Sequence, residues 1–229
     1  NITYWNFGFL RMGTSGITAQ AYGSGDVSAL RGALLRACTL AAIIALGIVA
    51  LQYPLQLLTL KIIGPSDGVL ALARQYFYIV IWGAPAVLIM MAVKGWFLGM
   101  QDSKSAMHIS ICVDSLNVVA SLIAVFVLKM GFVGIAVGTL VAEYIGLIYS
   151  AVLIFSKHRN MLRGASLKEV MQTEGMTRMM RVNSHIFFRS FCMIVVTLSF
   201  VSIGARCGDL SLAANAIIMQ LYILFSYFM

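Results

Sequence analysis

The chain is poor in charged residues. Asp, Glu, Lys and Arg make up 10% of its 229 residues, whereas soluble domains carry about 25%. Hydrophobic residues make up 61%, so a water-soluble fold would have too little polar surface to cover its exterior. This composition excludes a soluble globular domain and predicts an all-α integral membrane protein, a polytopic helical bundle.

The sequence also lacks the motifs of the common enzyme classes. It contains no Walker A phosphate loop, no GxSxG nucleophile elbow and no HExxH zinc helix. Its four cysteines and three histidines are scattered, without the spacing of a disulfide framework or a metal site. We therefore predict a protein that is not an enzyme and holds no cofactor or metal. Any transport would be driven by an ion gradient, unless a separate subunit supplies the energy.

Acidic residues are half as many as basic ones, 8 against 16, which gives a net charge of +8. The basic residues stand at the ends of apolar segments rather than on one aromatic and basic surface. They therefore indicate membrane topology and contacts with anionic lipids, and no nucleic-acid partner. Ten basic residues, with Lys94 counted among them, fall near one set of alternate loops and four near the other, which places the first set in the cytoplasm.

Seven apolar segments follow one another along the chain. They cover about 1–22, 32–60, 70–100, 106–127, 132–155, 184–207 and 210–229. Short polar turns at 23–26, 61–68, 101–105 and 129–131 separate the first five, and Pro85 predicts a kink in the third. A basic linker at 157–183 precedes the sixth. Because the chain opens and stops inside apolar runs, we expect it to be the middle of a longer protein.

The fourth segment carries a narrow polar stripe. Ser110, Asp114, Asn117 and Ser121 recur at steps of four, three and four, which places them on one face of a helix. An acid inside a spanning helix usually faces protein or water and marks a functional site. The alternative is a seam of hydrogen bonds between helices, because Ser and Asn also join membrane helices.

Three charged residues of other segments are further candidates. Arg11 lies about 16 Å of helix from the nearest turn, too deep to reach the membrane surface easily. Glu143 follows Thr139 by one turn in the fifth segment, and a desolvated carboxyl can take up and release a proton. The alternative for Glu143 is a neutralising pair with Arg11. Arg189 lies near the start of its segment and either functions there or reaches toward the surface.

Several stretches resemble the multidrug and toxic compound extrusion (MATE) transporters, within that family the DNA-damage-inducible (DinF-like) bacterial branch. They are FGFLRMGTSGITAQAYGSGD (7–26), ARQYFYIVIWGAPA (73–86), GWFLGMQDSKSAM (95–107), GIAVGTLVAEY (134–144) and LAANAIIMQLYILFSYFM (212–229). The resemblance implies helices two to eight of a twelve-helix, two-lobe fold. Residues 1–156 would belong to the N-terminal lobe, 157–183 to a cytoplasmic linker and 184–229 to the start of the C-terminal lobe.

The resemblance also implies a cation site. The family uses an Asp on its first helix, an Asn and an Asp on the fifth and a Thr on the sixth. Asn117 and Thr139 match that Asn and Thr, but Ser121 stands where the second Asp is expected. We therefore expect the charge to have moved along the helix, with Asp114 or Glu143 taking part in coupling. Asn117, Ser121 and Thr139 would form any sodium site, and the missing acid favours a proton.

Three functions remain open. The first is a monomeric antiporter of the bacterial inner membrane that exports organic, often cationic, compounds against H⁺ or Na⁺ by alternating access. The second is a flippase for lipid-linked saccharides, which would need several cations in its cavity. The third is a membrane scaffold without transport. The candidate site residues are Asp114, Asn117, Ser121, Thr139, Glu143 and Arg11, followed by Arg189, Asn215 and Gln220 on the last two segments.

Overall fold

The computed structural model describes residues 7–63, 67–162, 173–206 and 220, and these ranges contain helices and no strand. The α-helices are α1 (Gly8–Gly23), α2 (Val27–Ala50), α3 (Gln52–Ile63), α4 (Asp67–Val80), α5 (Ala84–Gly99), α6 (Ser103–Leu122), α7 (Gly131–Leu162) and α8 (Thr173–Arg206). A 3-10 turn (Ile81–Gly83) precedes α5, and a π-helical turn (Ile123–Val127) ends α6. The predicted all-α class is confirmed.

Four stretches of the described chain are long and apolar enough to cross a membrane. They are Val27–Ala50, Leu72–Gly99, Ser103–Val127 and Gly131–Arg159. Each has at least the roughly 20 residues that a helix needs to span the hydrocarbon core. The chain is thus a multi-pass membrane protein, as its composition predicts.

Aspartates in two tight turns set where the next helices begin. The carboxylate of Asp26 accepts hydrogen bonds from the backbone N–H groups of Ser28 and Ala29, so α2 begins at Val27, earlier than the predicted start near residue 32. Asp102 caps α6 in the same way through the N–H of Ser105 at 3.1 Å. The predicted polar turn at 101–105 is therefore shorter, because the helix already begins at Ser103.

The second apolar segment is not one helix, contrary to the prediction. It breaks at Leu51 and resumes as α3. Pro54 lies in the first turn of α3, where its missing N–H would have had no helical partner in any case. The predicted loop at 61–68 is also too long, since α3 continues to Ile63 and α4 begins at Asp67. Residues 64–66 lie outside the described part.

The third segment is interrupted where Pro85 predicts a kink. α4 ends at Val80, and the chain tightens into the 3-10 turn before α5 starts with Pro85 in its first turn. The interruption exposes backbone groups to their neighbours. The Trp82 carbonyl accepts a hydrogen bond at 2.9 Å from the Tyr144 hydroxyl of α7.

Helix extends into both ends of the predicted linker. α7 continues to Leu162, with a non-helical residue at His158, and α8 begins at Thr173. α8 thus begins ahead of the predicted apolar segment, since the polar residues at 173–183 are helical as well. Residues 163–172 and all of the seventh segment except Gln220 lie outside the described ranges. The chain divides into two compact units, residues 1–184 and 185–229, and the lobe boundaries stay a prediction.

Glycines allow two pairs of helices to pack closely. A Cβ on Gly95 of α5 would lie 2.5 Å from the carbonyl oxygen of Arg11 in α1, and one on Gly99 would lie 2.7 Å from that of Ser15. Gly138 of α7 packs in the same way on the backbone of Ser121 in α6. Small residues four apart are typical of closely approaching membrane helices.

The turn between α5 and α6 is tied to the end of α7. Lys157 donates to Asp102 Oδ2 at 3.0 Å and to Ser105 Oγ at 2.6 Å. Burial by itself would raise the pKa of Asp102, but hydrogen bonds from Ser105 and Lys157 outweigh it and hold the pKa at about 2, below the ordinary 3.8. The charged form of Asp102 therefore stabilises the fold.

We expect Asp102 to contribute to stability in a pH-dependent way. Because its pKa is lower in the folded protein than in the unfolded chain, the contribution is present above pH 3.8 and is lost as pH falls toward about 2. Asp102→Ala should cost about 1 kcal/mol near neutral pH, since both the helix cap and the pair with Lys157 disappear. Asp102→Asn keeps a capping group and should cost less. Thermal unfolding of the detergent-solubilised full-length protein measures both, and equal losses would contradict the capping role.

Candidate functional site

Three polar side chains meet between α6 and α7. Asn117 Nδ2 donates to Thr139 Oγ1 at 3.3 Å, and Ser121 Oγ donates to Asn117 Oδ1 at 3.4 Å. Thr139 in turn donates to the Ile135 carbonyl at 2.9 Å. Gly138 makes this contact possible, because its missing side chain lets Ser121 come beside Thr139. The structure brings together three predicted site residues, Asn117, Ser121 and Thr139, in a group named here the polar trio.

The polar trio offers oxygen atoms but no carboxylate. Hydroxyl and amide oxygens can contribute to binding a hard cation, although Na⁺ or Ca²⁺ sites usually include a charged ligand. Asp114 lies one turn before Asn117 on the same face of α6, and its side chain is exposed in this chain. Ser110, a further turn away, is half-buried. The acid therefore borders the polar trio without forming part of its hydrogen-bond chain.

Lys94 is a charged neighbour that the sequence analysis missed. The topology count treated it only as a charge near a loop, but it lies within α5, five residues before Gly99, and its side chain is half-buried. Asp114 attracts its charge and Arg11 repels it, so the three groups lie within electrostatic range. The glycine pair at 95 and 99 is the sequence signal that could have placed Lys94 inside a helix contact.

Arg11 lies nearer to a helix end than its distance along α1 indicated. Its backbone packs against Gly95, and Gly99, the last residue of α5, packs against Ser15 and Thr18. α1 then continues to Gly23, so its final turn projects beyond the end of α5. The 16 Å measured along α1 therefore overstates the depth of Arg11 within the bundle. Its side chain is exposed in this chain.

Glu143 is buried one turn after Thr139 and makes no hydrogen bond to the polar trio. It is 7% exposed, and its Oε2 has no hydrogen-bond partner among the residues that the structure describes. The carboxyl group packs directly against Gly83 in the 3-10 turn, where only a glycine leaves room for it. Within those residues, no ion pair joins Glu143 to Arg11. The arrangement therefore resembles an isolated buried acid more closely than a neutralising pair.

Three further candidates belong to the end of the chain, outside the first compact unit. Arg189 is exposed on α8 and belongs to the second compact unit. Gln220 is described only as an exposed helical residue, and Asn215 lies outside the described residues. Their roles stay predictions.

Taken together, apolar spans with a polar trio, an isolated buried acid and a cluster of charges define a multi-pass membrane protein with polar and charged groups on its apolar helices. The MatE family model matches residues 1–123, more than half of the chain. The chain belongs to the MatE family, and the resemblance found in its sequence is confirmed.

Relatives and solved structures agree with this assignment. The chain is 33% identical over 222 residues to DNA damage-inducible protein F of Escherichia coli (strain K12), covering 96% of this chain and 48% of that protein. It superposes on a crystal structure of MATE in the bent conformation with a TM-score of 0.85, at 21% identity, over 96% of this chain and 49% of the other.

A second structure shows the same fold. The outward-facing conformation of a multidrug resistance MATE family transporter of the MOP superfamily matches with a TM-score of 0.79, at 19% identity, over 97% of this chain and 49% of the other. The chain thus spans about half the length of the proteins that it matches.

Proposed function

We propose that the full-length protein is a secondary active antiporter of the bacterial inner membrane. It exports organic, often cationic, compounds by alternating access and is driven by a proton or sodium gradient, without a cofactor. The observation that carries this proposal is the polar trio with Asp114 on the same face of α6, inside a chain of the MatE family. The multidrug resistance transporter among the structural matches supports it.

In this proposal, Asp114 and the polar trio have different roles, because only Asp114 is charged. Asp114 supplies the negative charge that a cation requires, and the oxygens of Asn117, Ser121 and Thr139 lie one to two turns along the same helix pair. When the coupling ion binds more tightly to one conformation of the protein than to the other, its binding shifts the equilibrium between the two conformations. Exchange of the ion for the substrate at Asp114 would therefore couple the gradient to export.

The test uses the full-length protein in proteoliposomes. Efflux of a fluorescent organic cation is followed under an imposed proton gradient and then under a sodium gradient, for the wild type and Asp114→Asn. We expect gradient-driven efflux in the wild type and its loss in the variant, and the effective gradient identifies the ion. The exposed cap variant Asp26→Asn, which also removes one acid, should transport normally. Unchanged efflux in Asp114→Asn would rule out coupling through this acid.

A flippase for lipid-linked saccharides is the second candidate. It is favoured by one observation, the position of Lys94 within range of Arg11, because two cations suit a pyrophosphate group. Asp114 beside them weakens this candidate, since an acid repels phosphate. Absence of any cation efflux under either gradient, together with translocation of a labelled lipid-linked saccharide, would decide for it.

A further inference from the structure

α1 and α5 bring Arg11 and Lys94 side by side. The Cβ position of Gly95 lies 3.1 Å from the Cα of Arg11, so the backbones of the two helices touch at that level. Lys94 is the residue directly before Gly95. Two cationic side chains therefore start from adjacent points of a close helix contact.

α5 and α6 both contact α7 at Gly146. The Cβ position of Gly146 lies 3.1 Å from the sulfur of Met90 and 3.5 Å from the Cβ of Val113. Met90 precedes Lys94 by one turn of α5, and Val113 directly precedes Asp114 in α6. Lys94 and Asp114 thus lie on neighbouring helices close to a point where three helices converge.

The charges of this cluster act on one another without direct pairing. Asp114 attracts Lys94 and Arg11 repels it. Among the described residues, no direct ion pair forms between Lys94 and Asp114. Charges within a membrane-spanning segment interact more strongly than in water, because the surroundings screen them poorly. A small ion or a cationic group that comes close to Lys94 and Asp114 would therefore change the electrostatic energy of both side chains.

We propose that Lys94 is a tethered counter-ion of Asp114 that competes with the transported cation for this acid. The inference rests on the proposed antiport and names the residue that sets its affinity for cations. In the empty state, the positive charge of Lys94 lies within electrostatic range of Asp114 and Arg11, attracted by the acid and repelled by the guanidinium group. A cation that binds at the exposed carboxylate of Asp114 is repelled by the charge of Lys94, so Lys94 weakens binding and favours release.

Binding to the purified full-length protein in detergent tests the inference. The probe is tetraphenylphosphonium, and its dissociation constant is measured by titration calorimetry. Lys94→Gln is expected to tighten binding roughly tenfold, because it removes a unit charge close to the acid. Lys94→Arg keeps the charge and should bind like the wild type. Lys104→Gln, an exposed lysine in the first turn of α6, is the matched control for net charge and should change little.

The energetic coupling between the Lys94 and Asp114 substitutions distinguishes competition for the acid from a structural effect of Lys94. In the background of Asp114→Asn, Lys94→Gln should no longer tighten binding, and the double-mutant cycle measures this difference. An affinity that is unchanged or weaker in Lys94→Gln would overturn the inference, as would tighter binding that persists without Asp114. If binding tightens as expected but the wild type shows no gradient-driven efflux, the proposed antiport fails and the counter-ion role stands.

Discussion

Gly95→Ala is expected to separate α1 from α5 and to destabilise the full-length protein by about 1–3 kcal/mol. The added methyl group would lie 2.5 Å from the Arg11 carbonyl oxygen, a backbone atom that cannot move without shifting the whole of α1. Gly99→Ala should act in the same direction, because its Cβ would lie 2.7 Å from the Ser15 carbonyl oxygen. The melting temperature and the folded yield in detergent measure the effect.

Gly47→Ala is the matched control for this prediction. Gly47 also lies within an apolar helix, α2, but a Cβ there meets no atom within 4 Å. Alanine forms helix more readily than glycine, by about 0.5–1 kcal/mol, so this variant should be as stable as the wild type or more stable. Equal stability of Gly95→Ala and Gly47→Ala would contradict the close contact between α1 and α5.

Two replacements of Glu143 are expected to have different effects. One should lower transport, and the other should raise stability. Glu143→Gln retains the size of the side chain but cannot exchange a proton, so efflux driven by a proton gradient should be lost. Glu143→Met removes a buried oxygen atom that has no hydrogen-bond partner among the described residues, and it should raise stability by about 1–3 kcal/mol. Proteoliposome efflux and thermal unfolding provide the two measurements.

Two further variants make the Glu143 result specific. Glu143→Asp keeps an acid near Gly83 and should retain part of the proton-driven efflux. Asp26→Asn removes an exposed acid that caps α2 and should leave efflux intact, because Asn is also a good helix cap. Full proton-driven efflux in Glu143→Gln would exclude this residue from coupling and leave Asp114 as the candidate acid.

Local sequence was sufficient to predict most of the helices. Long apolar runs predicted the spans of α2, α6 and α7, and Pro85 predicted the interruption before α5, because each depends on properties of the segment itself. The break at Leu51 was missed, since the apolar run continues through it. The early start of α8 was missed for a related reason: polar residues from 173 to 183 form helix although they would not cross a bilayer.

The candidate site was predictable where one helix carries it. The stripe on α6 follows from helical spacing alone, and its contact with Thr139 follows from the short turn between α6 and α7. Lys94 could not be placed in the same way. Its neighbours Arg11 and Asp114 belong to two other helices, and the contact at Gly95 that fixes its position depends on the packing of α1. The glycine pair at 95 and 99 indicates that α5 packs closely on another helix, but it does not identify that helix.

Trp96 joins three helices at one point. Its indole N–H donates to the Leu30 carbonyl of α2 at 3.0 Å, and its ring lies edge to face with His158 of α7, with the ring centroids 5.1 Å apart. The side chain is fully buried, whereas Trp82 is half-exposed. Because indole emission depends on its immediate surroundings, Trp96 is a built-in fluorophore for this helix junction. With Trp5 and Trp82 replaced, the emission of Trp96 would report motion of α7 against α2 and α5 without an attached label.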